Sequence, residues 1–77
     1  MTYKFPQFQV EITDPTISIN LNTISDKALD KLLSVDVILT TDTAQFGVRA
    51  EDIAYQDTWD DDDIPDMVNN WLIQFAV

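Results

Sequence analysis

Cysteine and histidine are absent from this chain of 77 residues, and glycine occurs once, at Gly47. Each absence removes a class of chemistry. Without Cys there is no disulfide, no thiolate nucleophile and no thiolate ligand for zinc. Without His there is no imidazole base beside a serine, and zinc loses its usual nitrogen donor. A lone glycine cannot build the loop that lets backbone amides cradle a phosphate. The three serines fall where a strand (Ser18), a helix cap (Ser25) and a helix end (Ser34) are read below. Paired carboxylates remain as a source of acid and base, but a chain this short offers little volume for a cleft. The expectation is a protein that is not an enzyme and that takes no cofactor and no metal.

Long apolar runs are also missing. None approaches the ~20 residues of a membrane span, and the opening stretch MTYKFPQFQVEITD lacks the basic-then-apolar order of a signal peptide. Together with the absence of Cys, this points to a cytoplasmic protein with no membrane partner. The length suits one domain, residues 1–77, which buries only about 60–65% of the surface its unfolded form exposes. Apolar residues make up 45% of the chain, with four Phe, two Tyr and two Trp, so it is expected to fold.

Positive charge is the scarcest property. Fourteen acids face four bases, Lys4, Lys27, Lys31 and Arg49, for a net charge of −10. Residues 1–49 hold six acids and all four bases; residues 50–77 hold eight acids and no base. Such a chain repels nucleic acid and anionic lipid, and attracts basic protein surfaces.

Phe8, Val10 and Ile12 alternate with polar residues and read as a strand, as do Ile17, Ile19 and Leu21. The turn Thr13–Thr16, with Pro15, would join them as a hairpin. Ser25 is placed as the N-cap of a helix over about 26–34 whose apolar face is Ala28, Leu29, Leu32 and Leu33. Val35, Val37 and Leu39 make a third strand; Ala44, Phe46, Val48 and Ala50 make a fourth. Residues 51–59 read equally as strand or loop. A last helix over about 64–75 presents Ile64, Met67, Val68, Trp71, Leu72 and Phe75, with Asp63 as its cap, Asp66 as a weak capping-box partner and Pro65 in the first turn. The implied architecture is α+β: a four-stranded antiparallel sheet with two helices packed on one face, in the order ββαββα.

The run Asp60–Asp63 is the most unusual feature. Capping and dipole interactions favour acids before a helix by about 0.3–1 kcal/mol each at best, while neighbouring carboxylates repel by somewhat under about 1 kcal/mol. Capping therefore accounts for two aspartates. A calcium loop would need acids at alternate positions and a glycine at the sixth, but counting from Asp60 puts Ile64 fifth and Pro65 sixth. If the run were extended, carboxylates on one side would lie ~7 Å apart, comparable with neighbouring phosphates on a nucleic-acid strand. Asp57, Asp60, Asp61, Asp62, Asp63 and Asp66 would then imitate a stretch of backbone. Trp59, beside the run, is either core or an interface anchor. Ile73 lies opposite the helix's apolar face, under a loop or against a partner.

These readings converge on a non-catalytic acidic protein that binds a basic, nucleic-acid-binding protein. By analogy of charge and size, it would be a nucleic-acid-mimic inhibitor of the phage or mobile-element type. The partner surface would be Asp57, Trp59, Asp60–Asp63, Asp66 and Ile73. The alternative is a structural or regulatory interaction module, homodimeric, whose acidity serves solubility.

Overall fold

Leu33, Val35, Val37 and Leu39 alternate with Ser34, Asp36 and Ile38, and this period-two pattern builds the central strand of the molecule. In the computed structural model, which describes residues 1–77, that strand is β4. The chain order is β1 (Thr2–Lys4), β2 (Glu11–Thr13), β3 (Thr16–Lys27), β4 (Leu32–Thr40), β5 (Gln45–Ala54) and α1 (Ile64–Leu72), closed by a 3-10 turn, Ile73–Phe75. β1 and β2 form one antiparallel sheet; β3, β4 and β5 form another, in that order.

This corrects the expected ββαββα architecture. There are two sheets, of two and three strands, rather than one of four, and a single helical segment of 12 residues rather than two helices. The expected first helix is instead the tip of the β3–β4 hairpin. Asp30 N donates to Lys27 O and Lys31 N to Ala28 O, giving one helix-like turn that Lys31 ends with φ 53°. A four-residue hairpin loop around such a turn carries the same i, i+3, i+4 spacing as a short helix. Burial decides between them: Leu33 belongs to the β4 core face, while Leu29 projects from the tip, fully exposed. Ser25 pairs with Ser34 inside the sheet and caps nothing.

The expected hairpin of the first two strands is also absent. The turn at Thr13–Thr16 exists, with Asp14 at φ 46°, but it carries the chain from one sheet to the other. β2 pairs with β1, Tyr3 opposite Ile12, a strand that the polar opening residues gave little sign of. The chain end joins the same patch: Ala76 bridges to Tyr3, and Val77 N donates to Thr2 O.

Two irregularities set the register. In β5, Glu51 and Asp52 together oppose Ser34, a bulge in which Asp52 takes φ 56° and its N–H donates to Ser34 Oγ. The extra residue shifts the alternation, so the core side chains run Val48, Ala50 and then Ile53. In β3, residues 21–24 bulge opposite Val35, pinned where Asp36 N donates to Thr23 Oγ.

The core comprises thirteen buried residues, all of them hydrophobic, so no buried polar side chain needs a partner. β4 and β5 present one face to it, and α1 covers that face with Ile64, Val68 and Leu72. Phe5, in the β1–β2 connection, is almost fully buried at the centre of an aromatic group with Tyr3, Phe8, Trp71 and Phe75. The opposite face of the three-stranded sheet is uncovered. Its in-register rows are Thr16–Thr40–Gln45, Ser18–Ile38–Gly47, Asn20–Asp36–Arg49 and, beyond the two bulges, Lys27–Leu32–Ala54. No helix is long and apolar enough to cross a membrane.

Candidate functional site

Asp60–Asp63 form a turn that leads directly into α1, so the run is coiled rather than extended. Asp62 N donates to Asp60 Oδ1 at 2.9 Å, and Asp60 N donates to Asp63 Oδ2 at 3.0 Å. Asp63 N donates to Asp60 O at 3.0 Å, and Met67 N to Asp63 O at 3.1 Å. This is a reciprocal pair of bonds, built as in a capping box, in the turn just ahead of α1. Asp63 holds the N-cap position of α1, as expected, but its backbone is helical, with φ −80° and ψ −24°, and its side chain bonds back to Asp60 N and makes no cap bond to α1. Trp59 and Ile64 flank this turn, and both belong to the apolar cluster.

Coiling removes the ~7 Å spacing that an extended run would give. Helical geometry takes its place, with Asp62 and Asp66 one turn apart and their Cβ atoms about 5–6 Å from each other. The side chains of Asp61, Asp62 and Asp66 make no hydrogen bond or ion pair within the chain. No three acids converge on a point that would suit a metal ion.

The bases are engaged elsewhere. Arg49 Nη1 lies 3.0 Å from Asp36 Oδ1 and also donates to Thr23 O. Lys27 Nζ is 3.6 Å from Asp52 Oδ1, and Lys31 Nζ donates to Gln56 O. Among the eight acids of residues 50–77, Asp52 alone has a base within 4 Å. Asp57, Asp60–Asp63 and Asp66 are all exposed, and their field is not cancelled locally.

Trp59 is half-buried and held from an unexpected direction. Its Nε1 donates to Asp26 Oδ2 at 3.1 Å, while Tyr55 Oη donates to Asp26 Oδ1 at 2.6 Å. The hydrogen bond to Asp26 is the main reason the Tyr55 hydroxyl is raised above its ordinary value of 10.0, with desolvation and the Asp26 charge adding to it. Trp59 lines a depression of about 360 Å³ together with Asp26, Tyr55 and Asp57, and another of about 530 Å³ together with Asp60, Asp61 and Asp62. Asp26 and Tyr55 were not among the residues expected at the site. They lie 33 and 4 positions from Trp59, and only the β3–β4–β5 register brings Asp26 across.

The expected residues thus fall into two groups. Asp57, Trp59 and Asp60–Asp63 form one continuous surface. Asp66 and Ile73 are seven apart and share the outer face of the helical segment, about 10 Å along its axis from each other. Ile73 is 57% exposed, and no loop covers it. Compared with protein-family models, curated proteins and solved structures, the chain matches none.

Proposed function

We propose that this chain is a non-catalytic acidic protein that binds a basic surface, of the kind a nucleic-acid-binding protein presents, and so competes with nucleic acid for it. One observation carries the reading: capping employs Asp60 and Asp63, yet Asp57, Asp61, Asp62 and Asp66 stay exposed and unneutralised around a half-buried Trp59. Acids left unpaired next to an immobilised aromatic ring suit Lys or Arg side chains, which gain both charge complementarity and contact with the ring face. Ile73 extends the surface with an apolar contact at the far end of the helix. The coiled run imitates a cluster of phosphates more than a line of them.

The self-capping of Asp60 and Asp63 also favours a second reading, in which the chain is an interaction module and its remaining acids serve solubility. A charge-neutral variant separates the two. Asp61, Asp62 and Asp66 are changed together to Asn, leaving the capping pair intact. Binding to a panel of purified basic nucleic-acid-binding proteins is then followed kinetically at low and high salt. The binding reading expects association that slows steeply with salt and with the variant, and nucleic acid that displaces the wild type. No association with any member at low salt, or equal rates for the two proteins, would sink it and leave solubility.

A further inference from the structure

The segment Tyr55–Trp59 has no regular structure of its own, yet it is laced to the β3–β4 hairpin at several points. Asp26 is in register with Leu33, and Leu33 with Ile53, so Asp26 stands at the β3 edge of a row whose other members are buried. There its carboxylate accepts from Tyr55 Oη and from Trp59 Nε1 at once. The backbone is tied as well: Tyr55 N donates to Lys31 O, and Lys31 Nζ donates to Gln56 O. One carboxylate thus holds the polar edges of two aromatic side chains, and both keep part of their surface in water. All three residues line the same depression of about 360 Å³, together with Ala28, Asp57 and Thr58.

We propose that this depression seats the guanidinium group of an arginine side chain. The occupant rests on the basic-partner reading above; what is new is the group that is bound and the place that binds it. Charge selects a cation, since Asp26 and Asp57 both line the depression and neither has a base within 4 Å. A hard metal ion needs several oxygen ligands, and no three acids converge here. An organic cation can use the rings as well, because an aromatic face attracts positive charge placed within about 6 Å of its centre. Shape then favours arginine over lysine. A planar guanidinium meets a carboxylate through two parallel hydrogen bonds and also stacks on an aromatic ring. Asp57 is free to accept such a fork, because its carboxylate bonds to nothing within the chain. Asp26 acts as a positioning residue: both of its oxygens are engaged, and they set the orientation of Trp59 and Tyr55. The volume of about 360 Å³ falls at the small end of the about 300–1,000 Å³ of ligand pockets, which suits a single side-chain end group.

Amide and indole NMR shifts of the nitrogen-labelled full chain test this, with N-acetyl-arginine methylamide as the probe. The lysine and citrulline counterparts are compared with it, because citrulline keeps the shape of arginine without its charge. At millimolar concentrations the arginine probe should shift the Trp59 indole signal and the amides of Tyr55–Trp59 saturably. The lysine probe should act more weakly, and the citrulline probe not at all. Asp57→Asn breaks no bond within the chain and should weaken arginine binding about two- to fivefold, the range of an exposed ion pair. Asp26→Asn should weaken it at least as much and also move the Trp59 indole signal before any probe is added, which loss of charge at a distance would not do. Asp61→Asn should leave binding nearly unchanged. No saturable shift with arginine, or equal shifts with citrulline, overturns the proposal. A lysine probe that binds more tightly overturns the choice of guanidinium. Shifts centred on Asp61, Asp62 and Asp66 overturn this pocket and leave the wider acidic surface standing. Binding here without capture of any basic protein upholds the pocket and sinks only the wider reading.

Discussion

Four adjacent aspartates should respond very differently to the same substitution. Asp60→Ala removes the oxygen that accepts from Asp62 N and leaves that amide to solvent. Loss of a capping side chain costs about 0.5–2 kcal/mol, typically ~1. For a chain of 77 residues, an unfolding entropy of about 2.1 cal/mol/K per residue gives about 0.16 kcal/mol per kelvin, so 1 kcal/mol lowers the midpoint by about 6 °C. Asp60→Asn keeps an oxygen in place and should stay within a few tenths of a kcal/mol of the wild type, roughly 2 °C. Asp63→Ala loses the return bond to Asp60 N and should fall between the two. Asp61→Ala and Asp62→Ala remove no bonded side-chain oxygen. Their lost dipole interaction and relieved repulsion oppose each other at similar size, so each should shift stability by less than about 0.5 kcal/mol. Thermal unfolding followed by circular dichroism at neutral pH reads all five variants. Equal midpoints for Asp60→Ala and Asp61→Ala would show that this pair of bonds does not form in solution, and the argument for a coiled run would fall with it.

The core assignment predicts that Leu33→Ala costs about 2–5 kcal/mol in chemical denaturation while Leu29→Ala is within about 0.5 kcal/mol of neutral; similar losses at both would restore a helix at the hairpin tip. Tyr55 provides a pH signature. Its folded value is raised above the unfolded 10.0, so the folded state holds the proton more tightly. The associated stability is complete below pH 10 and is lost as pH rises through the folded value. Asp26→Asn should shrink that alkaline loss and bring the ultraviolet titration of Tyr55 closer to 10.0; an unaltered titration would refute the Tyr55–Asp26 bond. With Trp71→Phe isolating its emission, Trp59 should be quenched more efficiently by caesium than by iodide, and neutralising Asp57, Asp61 and Asp62 should narrow the gap; equal quenching in the wild type would contradict an acidic surround.

Elements whose apolar period is long and unbroken were legible in the sequence. β4, the first half of β5 and α1 lie close to where alternation and the Pro65 signal put them. The misreadings share a physical origin. Over 26–34, a four-residue hairpin turn and a short helix have the same local hydrogen-bond geometry, and only tertiary burial of Leu33 separates them. β1 is three residues long, stabilised by β2 and by the chain end rather than by any pattern of its own. Past Ala50 the alternation breaks because the Asp52 bulge inserts a residue, which is why 51–59 fitted strand and loop equally. At the site, the acidic surface could be read because its residues are neighbours in the chain. Asp26 could not be, because it reaches Trp59 through the strand register and belongs to a segment whose local pattern pointed elsewhere.

The arrangement of charge also sets the acidic surface apart from the open face of the sheet. Arg49, on that face, lies against Asp36 and neutralises it. Lys27 and Lys31 are drawn to Asp52 and to the Gln56 carbonyl at the hairpin end, so they do not neutralise Asp60–Asp63. Three of the four bases are thus committed within the chain, and each commitment leaves the helix end more acidic relative to the sheet face. Had the same bases faced the aspartate run, its acids would be partly neutralised and a basic partner less strongly attracted. The fold keeps them apart by register: Asp36 opposite Arg49 across β4 and β5, and Asp52 at a bulge beside the hairpin that carries Lys27. Releasing one of these bases should therefore leave the acidic surface as it is. Arg49→Gln exposes Asp36 on the open sheet face, adds one negative charge to the chain and leaves the acids around Trp59 untouched, so capture of a basic partner should be unchanged or slightly faster, most at low salt. A loss of capture as large as that of the Asp61/Asp62/Asp66→Asn variant would mean that Arg49 belongs to the binding surface.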